Sequence, residues 1–164
     1  MEQNNKKSLQ KTEQGGKRAV KTGRRLEAFI KQSLEENGYQ YVHKKEFFTD
    51  LYLKQPIYSS QVTICKSIYG SDYNCDFILY HPEKWLDCLV IESKWQQSSG
   101  SVDEKFPYII ANIEQQFPYK AIMLVDGGGF KRGAVDWIRN KVGQKLIGVF
   151  NMAEFHKWVN NGHL

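Results

Sequence analysis

The chain has little of what would tie it to an oxidising or a membrane setting. Its three cysteines, Cys65, Cys75 and Cys88, are odd in number and show no CxxC spacing, which argues against a disulfide framework and against a clustered zinc site. They lie in apolar surroundings and read as buried, reduced thiols. No stretch approaches the roughly 18 apolar residues of a membrane span. The first ten residues, MEQNNKKSLQ, contain no apolar run of the kind a signal peptide needs. The expectation is a cytoplasmic protein with no membrane partner. The four histidines, His43, His81, His156 and His163, share neither a face nor a metal-binding spacing, so no chemistry is assigned to them.

Positive charge is also scarce outside one segment. Residues 1–25 hold eight Lys or Arg against two Glu, whereas the other 139 residues hold 15 basic and 16 acidic side chains. The basic character is therefore N-terminal rather than a property of the whole surface. Residues 1–19 are polar, rich in Gln, Asn and Lys, and include Gly15-Gly16; they are expected to be a disordered basic tail. Such a tail serves either as a phosphate-backbone contact or as a solubilising arm. A hydrophobic content of 41% over 164 residues suffices for one core, so residues 20–164 are read as a single domain.

From Thr22 the pattern is helical, with Leu26, Phe29, Ile30 and Leu34 on one face and Asn37-Gly38 as the stop. Tyr39 to Lys44 alternates as a short strand, and Lys45 to Gln55 carries no clear period. Ile57 to Tyr69, Asn74 to Tyr80 and Leu86 to Lys94 read as strands, the last two joined by a turn at His81-Pro82-Glu83-Lys84. Ser101 and Glu104 match a capping box, opening a helix with Val102, Phe106, Ile109, Ile110, Ile113 and Phe117 inward. Pro107 either kinks that helix or marks its true start. Ala121 to Val125 is a fully apolar, buried strand. A helix follows with Phe130, Ala134, Trp137, Ile138 and Val142 inward, then a strand at Leu146 to Phe150 and a helix at Met152 to Val159. The order, helix, three strands, helix, strand, helix, strand, helix, is an α/β layout with helices on both faces of a mixed sheet.

The chemistry is concentrated at the ends of two of these strands. Side chains alternate along a strand, so Glu92 and Lys94 share a face with Cys88 and Val90. If the hairpin pairs about Lys84, Asp76 stands opposite Glu92 with Cβ atoms about 5 Å apart. Two carboxylates at that distance repel unless a cation lies between them, and oxygen ligands suit Mg²⁺. Lys94 adds a positive charge where an attacking water or a phosphate oxygen would lie, which is equipment for metal-assisted phosphodiester hydrolysis. The plain alternative is that these charges are the wet ends of two strands.

Asp76 on one central strand and Glu92-Ser93-Lys94 on the next, within this element order, resemble the PD-(D/E)XK nuclease superfamily. The resemblance covers about residues 22–125. It implies a restriction-endonuclease-like αβββαβ core with a mixed central sheet flanked by helices, here carrying a C-terminal αβα extension. The family's Pro is replaced by Cys75 before Asp76. The resemblance further implies Asp76, Glu92 and the Ser93 carbonyl as ligands of Mg²⁺, with Mn²⁺ as a possible substitute, and Lys94 as the group that orients water. Glu27 on the first helix is the candidate for the Glu that approaches the metal in many members. At 100° per residue it lies at the margin of the apolar face, and a solvated glutamate is its plain alternative. Gln96 extends the motif to Glu-x-Lys-x-Gln and is assigned a supporting polar role. The implied activity is a metal-dependent DNA endonuclease, restriction-type; the alternatives are a structure-specific junction resolvase of the same fold and a non-catalytic DNA-binding module. Cutting both strands usually takes two sites, so a homodimer is expected. Any base-edge readout would come from Lys44 to Ser60. Gly127-Gly128-Gly129 lacks the GK[ST] ending and GxGxxG spacing of a phosphate loop. A tight turn, or a close backbone approach to DNA, accounts for it better. Lys105, Tyr108 and Asn112 are expected on the polar side of the helix that follows the motif, and Trp95 and Trp158 as packing residues.

Overall fold

The computed structural model describes residues 24–164, so the expected tail at residues 1–19 lies outside the described residues. Six strands form one mixed sheet in chain order. They are β1 (Gln40–Tyr41), β2 (Ile57–Lys66), β3 (Asp72–His81), β4 (Trp85–Trp95), β5 (Lys120–Asp126) and β6 (Leu146–Phe150). β2, β3 and β4 pair antiparallel, while β1 with β2, β4 with β5 and β5 with β6 pair parallel.

Helices cover both faces, as the alternation of apolar runs and helical periods implies. On one face α1 (residues 24–36) and α5 (Met152–Trp158) bury Leu26, Ile30, Leu34 and Phe155 against Phe77, Leu79, Leu89 and Ile91. On the other, α2 (Phe47–Asp50), α3 (Phe106–Gln115) and α4 (Arg132–Arg139) bury Phe47, Ile109, Ile113 and Ile138 against Ile78, Val90 and Met123. Both faces of β4 and β5 are thus dry, which is why those strands read as continuous apolar runs. Gly38 ends α1 in the left-handed region at φ +86°, with Tyr39 N–H donating to the Leu34 carbonyl. Trp95 and Trp158 pack against the core as expected.

Several local expectations are corrected. The Tyr39–Lys44 strand shrinks to two residues. The unreadable segment after it holds α2 and a 3-10 turn at Leu51–Leu53, both too short for a period to emerge. The capping box at Ser101 does not form: a 3-10 turn at Asp103–Lys105 precedes α3, which begins at Phe106 with Pro107 in its first turn, where a missing N–H costs nothing. Asn112 belongs to the core side of α3, fully buried, rather than to its polar side. Trp137 and Val142 are exposed, because α4 ends at Arg139 and buries only Ile138 deeply. Lys141 sits over the outward Trp137 ring at 5.2 Å.

Candidate active site

Phe77 pairs with Ile91 and Ile78 with Val90, the register expected of a hairpin about Lys84, which sets Asp76 opposite Glu92; it is reached through a bulge between Leu79 and His81, since the turn-end pair is His81 with Trp85. The β3–β4 ladder ends there, while β4 runs on beside β5 as far as Trp95 and Asp126. Glu92, Ser93 and Lys94 therefore lie where β4 has lost its antiparallel neighbour. The Ser93 N–H left over by the ladder donates to Asp76 Oδ2 at 2.8 Å, so a carboxylate stands in for a strand carbonyl.

Asp76 also marks a change of phase. Ile78 and Tyr80 belong to the same core cluster as Tyr73 and Cys75, and Ile57 to the same cluster as Val62. A strict two-residue alternation cannot place odd and even positions on one face. The switch falls between Ser60 and Val62 on β2 and between Cys75 and Phe77 on β3, so Gln61 and Asp76 face each other across it. Gln61 takes the left-handed backbone, φ +55°, and its amide lies 3.5 Å from Asp76. The register is the same on both sides, so the two strands turn together and Asp76 stands at the twist.

Three oxygens converge on one cation. Lys94 Nζ donates to Asp76 Oδ2 at 2.7 Å, to Glu92 Oε2 at 3.1 Å and to the Ser93 carbonyl at 3.0 Å. Glu92 is 2% exposed, and its second oxygen, Oε1, is buried with no hydrogen-bond partner. Burial pushes the Glu92 carboxyl up to about 7; Lys94 opposes this and the charge of Asp76 adds to it. For Lys94 burial works against the charge, yet the two carboxylates outweigh it and hold the ammonium firmly protonated. Burial also raises the neighbouring Tyr73 phenol and Cys75 thiol, and the Glu92 charge reinforces both shifts.

A buried carboxylate with an empty lone pair costs free energy comparable to a lost charged hydrogen bond. Hard oxygen donors from two carboxylates and one carbonyl are what a divalent cation such as Mg²⁺ takes. No three His, Cys, Asp or Glu side chains cluster among the described residues, so these two carboxylates would bind a metal with water and substrate completing its shell. The donor set fits the implied metal.

The other expected site residues go elsewhere. The Gln96 amide donates to the Gly129 carbonyl at 2.9 Å and its oxygen accepts from Val102 N–H at 2.8 Å, so both ends are spent on loop backbone. Gln96 follows the last residue of β4, and no hydrogen bond among the described residues joins its side chain to Asp76, Glu92 or Lys94. Glu27 is exposed on α1, and no hydrogen bond or ion pair among the described residues joins it to Asp76, Glu92 or Lys94. The glycine run is explained by proximity to the chain itself. A Cβ on Gly127 would fall 2.5 Å from the Gln96 carbonyl oxygen, and one on Gly129 2.5 Å from Ser98 N. Asp103 was not foreseen as a buried group. Its two oxygens lack hydrogen bonds, and the Lys131 ammonium lies 3.9 Å away; only a lone Asp in a polar loop marks it in the sequence.

Comparison with curated proteins and with solved structures gives no match. The family model of the PD-(D/E)XK nuclease superfamily domain, by contrast, matches residues 18–163. That span takes in α1, the whole sheet and the strand ends where Asp76, Glu92 and Lys94 meet, and the chain therefore belongs to the PD-(D/E)XK nuclease superfamily.

Proposed function

We propose that this nuclease-type domain is a divalent-metal-dependent DNA endonuclease of restriction type. The observation that carries the reading is the convergence of Asp76, Glu92 and the Ser93 carbonyl on a single ammonium, with Glu92 Oε1 left unpaired in the interior. Asp76, Glu92 and the Ser93 carbonyl would hold Mg²⁺, or Mn²⁺ in its place. When bound, the cation polarises a phosphoryl oxygen and lowers the pKa of a coordinated water. Lys94 stays protonated beside that point. Its ammonium orients the water and offsets charge developing on the phosphorane oxygens, a stabilisation strengthened by the buried surroundings. Ser93 N–H and Oγ hold the Asp76 carboxylate in place at 2.8 and 3.3 Å. Glu27 is kept as a candidate approach residue from α1. Two copies, one per strand, would make a double-strand cut, the reason for proposing a homodimer. No helix among the described residues is long and apolar enough to cross a membrane; a cytoplasmic setting is proposed on the reduced cysteines alone.

The test is incubation of purified protein with plasmid and with four-way-junction DNA, in Mg²⁺ and in EDTA. Linear or nicked plasmid in Mg²⁺ only is the expected result. Cutting confined to the junction would replace the restriction-type reading by a resolvase, and binding without cutting in Mg²⁺ would leave a DNA-binding module.

A further inference from the structure

One exposed aromatic group stands apart from the others. Tyr69, in the turn between β2 and β3, is 79% exposed, the most of any large hydrophobic residue among the described residues. It is nevertheless not loose. Its ring stacks on Tyr108 of α3 at 5.2 Å and 25° between planes, and Tyr108 in turn stacks on buried Tyr73 at 6.2 Å and 27°. The turn beneath it is fixed by several bonds. Ile68 N–H donates to Oδ1 of buried Asn112, Ser67 N–H to the Ser71 carbonyl, Gly70 N–H to the Ser67 carbonyl, and the Ser67 and Ser71 hydroxyls meet at 2.9 Å. Gly70 supplies the left-handed residue that the turn needs, at φ +81°.

The stack leads to the site. Tyr73 belongs to β3, the strand that carries Asp76, and shares a core cluster with Cys75 and Val90. Two ring-to-ring steps thus join a solvent-facing aromatic face to Tyr73 on the strand that carries Asp76. One face of the Tyr69 ring is covered by Tyr108 and the other is open. Ionic recognition is weak in this turn, because Lys66, the lysine that closes β2 before it, is paired with Asp72 at 2.6 Å.

We propose that Tyr69 is a stacking platform for an unpaired base of the nucleic-acid substrate, held ready by the Tyr69–Tyr108–Tyr73 stack beside the metal-binding carboxylates. The proposal rests on the nuclease reading of that site and deepens it, since it adds a place for a base that leaves the stack of the bound DNA. Every base has a π face, so the platform would not select sequence, and a rigid ring loses little conformational freedom on binding. Stacked inside a duplex, a base cannot reach an outside ring.

The experiment measures binding to a fluorescent single-stranded DNA oligonucleotide and to a blunt duplex of the same length, in EDTA, by anisotropy at two salt concentrations. Tyr69→Ala should weaken single-strand binding roughly 10-fold or more, by the same factor at both salt concentrations, and leave duplex binding unchanged. Tyr69→Trp should retain wild-type affinity. The thermal midpoint of Tyr69→Ala should match wild type, because the removed ring is exposed. Wild-type affinity of Tyr69→Ala for the single strand overturns the platform, as does an equal loss on strand and duplex. If the wild-type protein still cuts DNA in Mg²⁺, the nuclease reading survives either of those results; a wild-type protein that neither binds nor cuts DNA brings down both.

Discussion

β4 and β5 run parallel, and each carries a carboxylate at its C-terminal end, yet the two acids are used in opposite ways. Asp126 on β5 has both oxygens engaged: Oδ1 accepts from Gly127 N–H at 2.6 Å and Oδ2 from Met152 N–H at 2.8 Å. It ties the strand exit to the start of α5, where Asn151 and Glu154 complete a capping box. Glu92 on β4 is more deeply buried and keeps one oxygen without any partner. Two acids of similar chemistry on neighbouring central strands thus differ, one committed to the fold and the other left with an oxygen unpaired. Buried polar groups are paired in all but a few cases; besides Glu92 the described residues leave Tyr39, Ser59, Trp95 and Asp103 with an unpaired atom, so it is the company of Asp76 and Lys94 that sets Glu92 apart.

The largest effect should come from exchanging these two carboxylates for uncharged side chains. Glu92→Gln is expected to abolish Mg²⁺-dependent cleavage, a loss of about 10³-fold or more, with no loss of thermal stability, since it removes a buried charge that Lys94 only partly balances. Binding to DNA without metal should hold or improve. Asp126→Ala should do the reverse, costing on the order of 2–4 kcal/mol of unfolding free energy in urea melts through two charged hydrogen bonds. A Glu92→Gln protein that cuts at the wild-type rate would end the comparison.

Gln96→Ala tests the tie between the two strand exits. It removes bonds to Val102 and Gly129 and should cost about 1–3 kcal/mol, while lowering cleavage far less than Glu92→Gln does. Loss of cleavage to the level of Glu92→Gln with unchanged stability would return Gln96 to the site.

A further expected effect is one of pH. The Glu92 carboxyl is raised from 4.5 to about 7, so between those values the folded protein keeps a proton that the unfolded chain has released. Stability of the metal-free protein should be highest below that window and fall as pH rises through it. Urea midpoints from pH 4.5 to 7.5 in EDTA measure this slope, and Glu92→Gln should flatten it. A wild-type slope identical to that of Glu92→Gln would show that burial leaves Glu92 unperturbed.

Much of the architecture was legible in the chain because local patterns carry it. The apolar period of α1 with Gly38 at its end, the continuous apolar runs of β5 and β6, and the hairpin about Lys84 are short-range consequences of burial and turn chemistry. Strand alternation and the hairpin bring Asp76 toward Glu92 and Lys94, and a bulge between Leu79 and His81 fixes which residue stands opposite which. α2 was not legible, since four residues show no period and Phe47 is held by the sheet rather than by helix propensity. The same limit made the Ser101 capping box misleading, for Ser101 and Glu104 meet only as a backbone turn once Gln96 has taken the Val102 N–H.

What the sequence determined by itself, then, was the set of strands and the acids and lysine at their ends, because side-chain alternation and hairpin register act over a few residues. What only the tertiary structure decided was which polar groups remain available. Gln96, Asp126 and Asn112 find backbone partners on other elements, 6 to 44 residues away in the chain, and Glu92 Oε1 does not. Hydrogen-bond satisfaction depends on every neighbour at once, and no local pattern encodes a partner that arrives from another strand or helix.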